Sequence, residues 1–111
     1  MITNTLTKEI NQLHADLCSA LADQTRLLIL YLLAQGPLNV TELTNELNLA
    51  QPSVSRHLKN LRTRGLVLSN RQGTTIQYEL ADTRIIEALD LLRAVLRDRI
   101  EHHANLIQEQ D

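Results

Sequence analysis

Apolar residues recur along most of this chain at the three- and four-residue intervals of amphipathic helices, and only one stretch past the middle abandons that period. Leu6, Ile10, Leu13 and Leu17 follow one another at four, three and four residues, which predicts a first helix with Thr3 or Thr7 near its start. Asp23 offers an N-cap to a second helix over Gln24 to Gln35, where Leu27, Leu28, Leu30, Tyr31, Leu32 and Leu33 cover nearly the whole circumference. That helix is expected to be central and buried, and Gly36 with Pro37 ends it.

Asn39 followed by Glu42 has the spacing of a capping box, in which each side chain takes a backbone N–H of the other residue. A short helix through Leu43 and Leu47 follows. Asn48-Leu49-Ala50 then turns the chain, and Pro52, whose missing N–H is harmless in a first helical turn, opens a helix that runs to about Arg64 before Gly65. Two short helices joined this way, over residues 40–64, form a helix-turn-helix. In the second, Val54, Leu58 and Leu61 share one face, and at about 100° per residue Arg56, Lys59 and Thr63 point the other way, flanked by Ser53 and Ser55.

Residues 66–80 carry β-branched and apolar side chains around Gln72-Gly73, which reads as a two-stranded β-hairpin, a wing. Asp82 or Thr83 caps a last helix over about 83–108, where Ile85, Leu89, Leu92 and Leu96 repeat the four-three-four seam of the first. The expected fold is mainly α: an α+β winged helix-turn-helix of five helices and a hairpin, one domain over residues 1–111. A core this small cannot bury both terminal seams, so a homodimer built from the first and last helices is expected.

Charge narrows the function. The chain has 11 basic and 13 acidic residues and a net charge of −2, yet no Asp or Glu occurs between Glu46 and Glu79, where Arg56, Lys59, Arg62, Arg64 and Arg71 all lie. A polyanion responds to such a local field rather than to the net charge, and its condensed counterions are released when Lys and Arg neutralise phosphates. With Tyr31 and Tyr78 the only aromatic residues, a base-stacking surface for single strands is not expected, and double-stranded DNA is the better partner. Paired recognition helices reach successive major grooves when about 34 Å apart, so a symmetric dimer implies a palindromic operator. The other reading of the basic face is a protein-interaction module that meets an acidic partner.

No Gly-rich phosphate loop, nucleophile elbow or complete metal constellation is written in the sequence, so an enzyme is not expected. No run of about eighteen apolar residues occurs, and the start MITNTLTKEINQ lacks a basic flank before an apolar core; a cytoplasmic protein with no membrane partner is expected. Cys18 is the only cysteine, which excludes a disulfide within the chain and favours a buried apolar role over a redox one. His14, four residues before it, could share a helix face with it, but a metal pair without further thiolates is the weaker reading.

Three stretches, LCSALADQTRLLIL from Leu17, LNVTELTNELNLAQPSVSRHLKNLRTRGLV from Leu38 and RQGTTIQYEL from Arg71, resemble the ArsR/SmtB family of small winged-helix repressors. The resemblance implies a homodimeric, sequence-specific transcriptional regulator, a repressor that leaves its operator when an effector arrives or, without a metal effector, represses constitutively. By position it implies that Gln51, Ser53, Ser55 and Arg56 read base edges, with His57 close behind. His57 lies beside the core face, and bonding a group within the protein is an equal alternative. Lys59, Arg62, Arg64, Arg71, Gln72 and Thr74 would hold phosphates. Ala50 departs from the Ser usual before this helix.

The family's metal sites are only half present. Where metal-sensing relatives carry a cysteine pair, this chain has Asn39 and Thr41, neither a soft ligand. On the last helix the spacing Asp-x-His-x10-His-x-x-Glu or His finds Asp90 and His103 at the first and third positions, but Leu92 and Leu106 at the others. Asp98, Glu101, His102, His103 and Glu109 also cluster near the end, and Asp98 with His102 has i,i+4 chelating spacing. A solvated helix end is the simpler reading of that cluster; if a divalent metal is the effector, zinc or nickel at Asp90, Asp98, His102 and His103 is the leading choice.

Overall fold

Five helical stretches and one hairpin follow in the expected order in the computed structural model, which describes residues 1–110 and, for side chains, residues 1–107. Helix α1 (Asn4–Gln12) starts where the Thr3 hydroxyl accepts the Leu6 N–H, and passes without a break into π1 (Leu13–Cys18) and the short α2 (Ser19–Leu21). Then come α3 (Gln24–Leu33), α4 (Val40–Leu47), α5 (Gln51–Thr63), β1 (Val67–Gln72), β2 (Thr75–Leu80) and α6 (Arg84–Gln110).

Local chemistry fixes the ends of the helix-turn-helix. The Asn39 carboxamide accepts the Glu42 N–H at 2.8 Å and the Glu42 carboxylate accepts the Asn39 N–H at 3.0 Å, so the capping box at α4 is complete. Asn48, in left-handed backbone at φ 54°, ends α4, and Pro52 sits in the first turn of α5, where Ala50 provides no side-chain cap. Gly65, at φ 78°, lets α5 stop in a Schellman turn in which the Leu66 N–H reaches the Leu61 carbonyl and the Gly65 N–H the Arg62 carbonyl. Asn39→Ala should lower stability by about 0.5–2 kcal/mol, read as a lower urea midpoint at unchanged slope.

The core joins α2, α3, α4, α5, β1 and α6 through Ala20, Ile29, Leu30, Leu33, Leu43, Val54, Leu58, Leu61, Leu66, Val67 and Leu89. The hairpin pairs Val67 with Leu80 through Gln72 with Thr75, and Gly73, at φ 66°, opens its two-residue turn. A feature with no sequence signature pins the wing to the body: Leu38 and Tyr78 exchange two backbone hydrogen bonds, of 3.0 and 2.8 Å, a one-residue third strand. At the start of α6 the Asp82 carboxylate accepts both the Arg84 N–H and its guanidinium, and these bonds hold its pKa down at about 2.

Three expectations are corrected. The first helix is not uniformly α: in π1 the Ser19 N–H donates to the His14 carbonyl, five residues back. Helix α3 is central but not buried all round; Ile29, Leu30 and Leu33 face the core while Leu28 is exposed, because no element among the described residues covers that side. Cys18 is exposed rather than buried, since the wide π turn directs Leu17 toward the core and leaves its neighbour outside. His14 is exposed as well.

The terminal seams lie open. Leu6, Ile10 and Leu13 on the first helix and Leu91, Leu92, Val95, Leu96 and Ile100 on the last are all exposed, and past Leu89 α6 has no buried residue among those described. The radius of gyration, 17.7 Å, accordingly exceeds the roughly 13 Å of a compact domain of about 100 residues.

Candidate nucleic-acid interface

Helix α5 presents two opposite surfaces. Val54, Leu58 and Leu61 are buried against the body, which fixes the rotation of the helix about its own axis and turns Arg56 and Lys59 into solvent. Gln51 and Ser55 are exposed and Ser53 half-buried at the amino-terminal end. Arg62 is exposed in the last turn and reaches toward the Ser69 hydroxyl at 3.5 Å, while Arg71, Gln72 and Thr74 are exposed at the tip of the wing. The structure therefore brings Gln51, Ser55, Arg56 and Lys59 onto one open face, with the wing residues at the end of the hairpin. No carboxylate lies on α5, β1 or the turn; Asp16 of π1 shares a groove with Arg56, Lys59, Asn60, Thr63 and Arg64.

Two of the expected contacts are turned inward. Arg64, expected on a phosphate, is half-buried and its Nη1 donates to the Ala15 carbonyl of π1. It is the C-cap residue of α5, at φ −90° and ψ 4°, so the helical direction that sends Lys59 outward no longer applies to it. His57 lies on the inner shoulder of α5 with Nδ1 3.4 Å from Arg26 Nη1. A guanidinium cannot accept a hydrogen bond, so Nδ1 could take part in this contact only as the acceptor. The Asp23 carboxylate lies 4.0 Å from the same nitrogen. Within the chain the imidazole therefore faces Arg26 and Asp23.

Sequence reasoning missed Arg26. Its Nε donates to the Ala20 carbonyl at 2.7 Å and its Nη2 to the Ser19 carbonyl at 3.2 Å, closing the end of the first helix, and its N–H bonds to Asp23. That N–H holds the Asp23 carboxyl below its ordinary range. A second tie joins α3 to α6: the Tyr31 hydroxyl donates to Asp90 Oδ1 at 2.7 Å, and Arg93 stacks 5.1 Å over the Tyr31 ring while also approaching Asp90 at 3.4 Å. Burial, and then the Asp90 bond, raises the Tyr31 pKa. An aromatic residue and two charged ones so far apart in sequence give no periodic signal.

The metal-ligand expectation on α6 does not assemble within one chain. Asp90 Oδ1 accepts from Tyr31 and lies near Arg93. It also stands twelve or thirteen residues from His102 and His103 on a single helix, about 18–20 Å along the axis. Asp98, His102 and His103 line a shallow groove with Val95, Leu96 and Leu106, but among the described residues no three His, Cys, Asp or Glu side chains come close enough to hold a metal ion. The side chain of Glu109 lies outside the described residues.

A buried-faced recognition helix, an exposed basic ridge and a hairpin wing define a winged helix-turn-helix of the class that regulates transcription. The sequence pattern described as "Bacterial regulatory protein, arsR family" matches residues 23–69. The chain is 43% identical over 76 residues to the HTH-type transcriptional regulator NmtR of Mycobacterium tuberculosis, over 68% of this chain and 63% of that protein's length. It is 38% identical over 76 residues to the transcriptional activator HlyU of Vibrio cholerae, over 68% of this chain and 70% of that protein. Its fold matches the solution structure of the homodimeric winged helix-turn-helix DNA-binding domain Mb0332 of Mycobacterium bovis, with a TM-score of 0.78 and 30% identity over 91% of this chain and 93% of that one. The chain belongs to the ArsR family of bacterial regulatory proteins.

Proposed function

We propose that this chain is a homodimeric repressor that binds a palindromic DNA operator and works in the cytoplasm. The observation that carries the reading is the two-faced α5: an apolar stripe locked into the core opposite Arg56 and Lys59, in a stretch of chain without carboxylates. Arg56 reads guanine edges in the major groove, with Gln51, Ser53 and Ser55 beside it, while Lys59, Arg62, Arg71, Gln72 and Thr74 hold phosphates. A dimer seated over a promoter excludes polymerase and represses.

The second copy packs on the open seams of the first and last helices, where large apolar side chains stand in water in the single chain. A metal effector, zinc or nickel, would need donors from both copies, because among the described residues of one copy no three such side chains come together. Among the described residues no helix is long and apolar enough to cross a membrane.

The test is selection of a binding duplex from a random-sequence pool, followed by titration of two variants. Arg56→Ala should cost about 1–3 kcal/mol on the selected duplex and relax the preference at one base pair of each half-site. Lys59→Ala should weaken selected and random duplexes alike and reduce the slope of log affinity against log salt by about one. Equal losses on selected and random DNA for both variants would remove the assignment of base reading to Arg56.

A further inference from the structure

Two arginines tie the recognition helix to the helix that carries the open apolar seam. Arg64, just past the last turn of α5, donates to the Ala15 carbonyl. That carbonyl is accessible for a reason found in π1: the Ser19 N–H, its partner in an α-helix, donates instead to His14. The Ala15 oxygen accepts the Ser19 hydroxyl at 2.6 Å and Arg64. Seven residues earlier on α5, about 10 Å along the axis, His57 meets Arg26, whose other two donors hold the Ser19 and Ala20 carbonyls. The first helix is thus joined to α5 at two separated points, and two points fix a direction where one would leave a pivot.

We infer that Arg64 and Arg26 are positioning residues: they clamp the recognition helix to the first helix, so that the dimer seam sets the spacing and tilt of the two recognition helices on DNA. The inference rests on the proposed dimeric DNA binding and reassigns Arg64 from phosphate contact to clamp. Spacing is the quantity such a clamp controls. Moving one half-site by a single base pair displaces it by roughly 3.4 Å and rotates it by roughly 35°, so a rigid dimer rejects the altered site and a loosened one follows it.

The experiment uses the full chain and the palindromic duplex selected from a random pool, with versions whose half-sites are moved apart or together by one and two base pairs. The wild type should lose about tenfold in affinity for each displaced version. Arg64→Ala should bind the selected duplex about tenfold more weakly yet lose no more than about threefold further on the displaced ones. Its salt slope and its dimerisation in sedimentation should stay unchanged. Arg26→Ala should move the spacing preference the same way; if it fails to show a cooperative thermal transition, Arg64→Ala decides alone.

An Arg64→Ala protein that keeps the wild-type spacing preference overturns the clamp, whether its salt slope falls by about one, as for a phosphate contact, or does not change. A wild type that recovers no duplex from the pool overturns both the clamp and the DNA-binding reading, whereas normal wild-type binding with an unaltered Arg64→Ala preference overturns the clamp alone.

Discussion

Glutamate at both Leu92 and Leu96 should yield a folded monomer whose affinity for a palindromic operator is lower by about two to four orders of magnitude. These two leucines are 64% and 54% exposed in the single chain, so neither supports its core. Among the described residues the last buried one of α6 is Leu89, one turn earlier, and the substitutions leave it in place. In a twofold-symmetric interface each position occurs twice, and the double variant would bring four carboxylates into an apolar seam, where their desolvation opposes pairing. Dimerisation then fails at protein concentrations where the wild type is fully paired. The affinity falls because the second half-site is no longer presented at the high effective concentration that a linked pair supplies, while binding to an isolated half-site stays near the wild-type level. Sedimentation equilibrium and circular dichroism report assembly and fold separately. A double variant that remains dimeric would place the interface elsewhere, the exposed Leu28 side of α3 being the next apolar surface.

The parts of this fold that were legible in the sequence are those governed by local rules. Asn39 with Glu42, Pro52 and Gly65 mark the ends of α4 and α5 through backbone chemistry that depends on a few neighbouring residues, and the structure completes each of them. The four-three spacing of Val54, Leu58 and Leu61 gives the rotation of α5, and with it the outward direction of Arg56 and Lys59. The parts that were not legible depend on encounters between distant segments. The π turn arises in LHADLC, a stretch without glycine or proline whose hydrophobic spacing is equally compatible with an α-helix. Leu38 pairs with Tyr78 through backbone groups that every residue has. Arg26 and Arg64 are two arginines among several until the carbonyls of Ala15, Ser19 and Ala20 are seen in front of them. Cys18 follows the same logic: its exposure is set by the turn beneath it and not by its own character.

Leu58→Ala should destabilise the protein by about 2–5 kcal/mol and weaken operator binding even though Leu58 touches no DNA. The side chain is 1% exposed and sits midway along the apolar stripe of α5, among residues that join α3, α4 and the wing. Its removal costs the transfer of the lost methyl and methylene groups, and in addition the cavity left where the surrounding elements cannot collapse. Against the roughly 5–15 kcal/mol that holds a typical domain together, that is a large share. Because pairing stabilises the folded chain by mass action, the comparison with wild type is made at one protein concentration in urea. Leu58→Met, which nearly conserves volume, should stay within about 1.5 kcal/mol of wild type. The contrast with Arg56→Ala carries the physical argument: two residues apart on one helix, one substitution should change stability and the other should change only recognition. If Leu58→Ala unfolds at the wild-type midpoint, the apolar stripe does not set the aim of the basic ridge, and the reading of α5 as a recognition helix loses its structural basis.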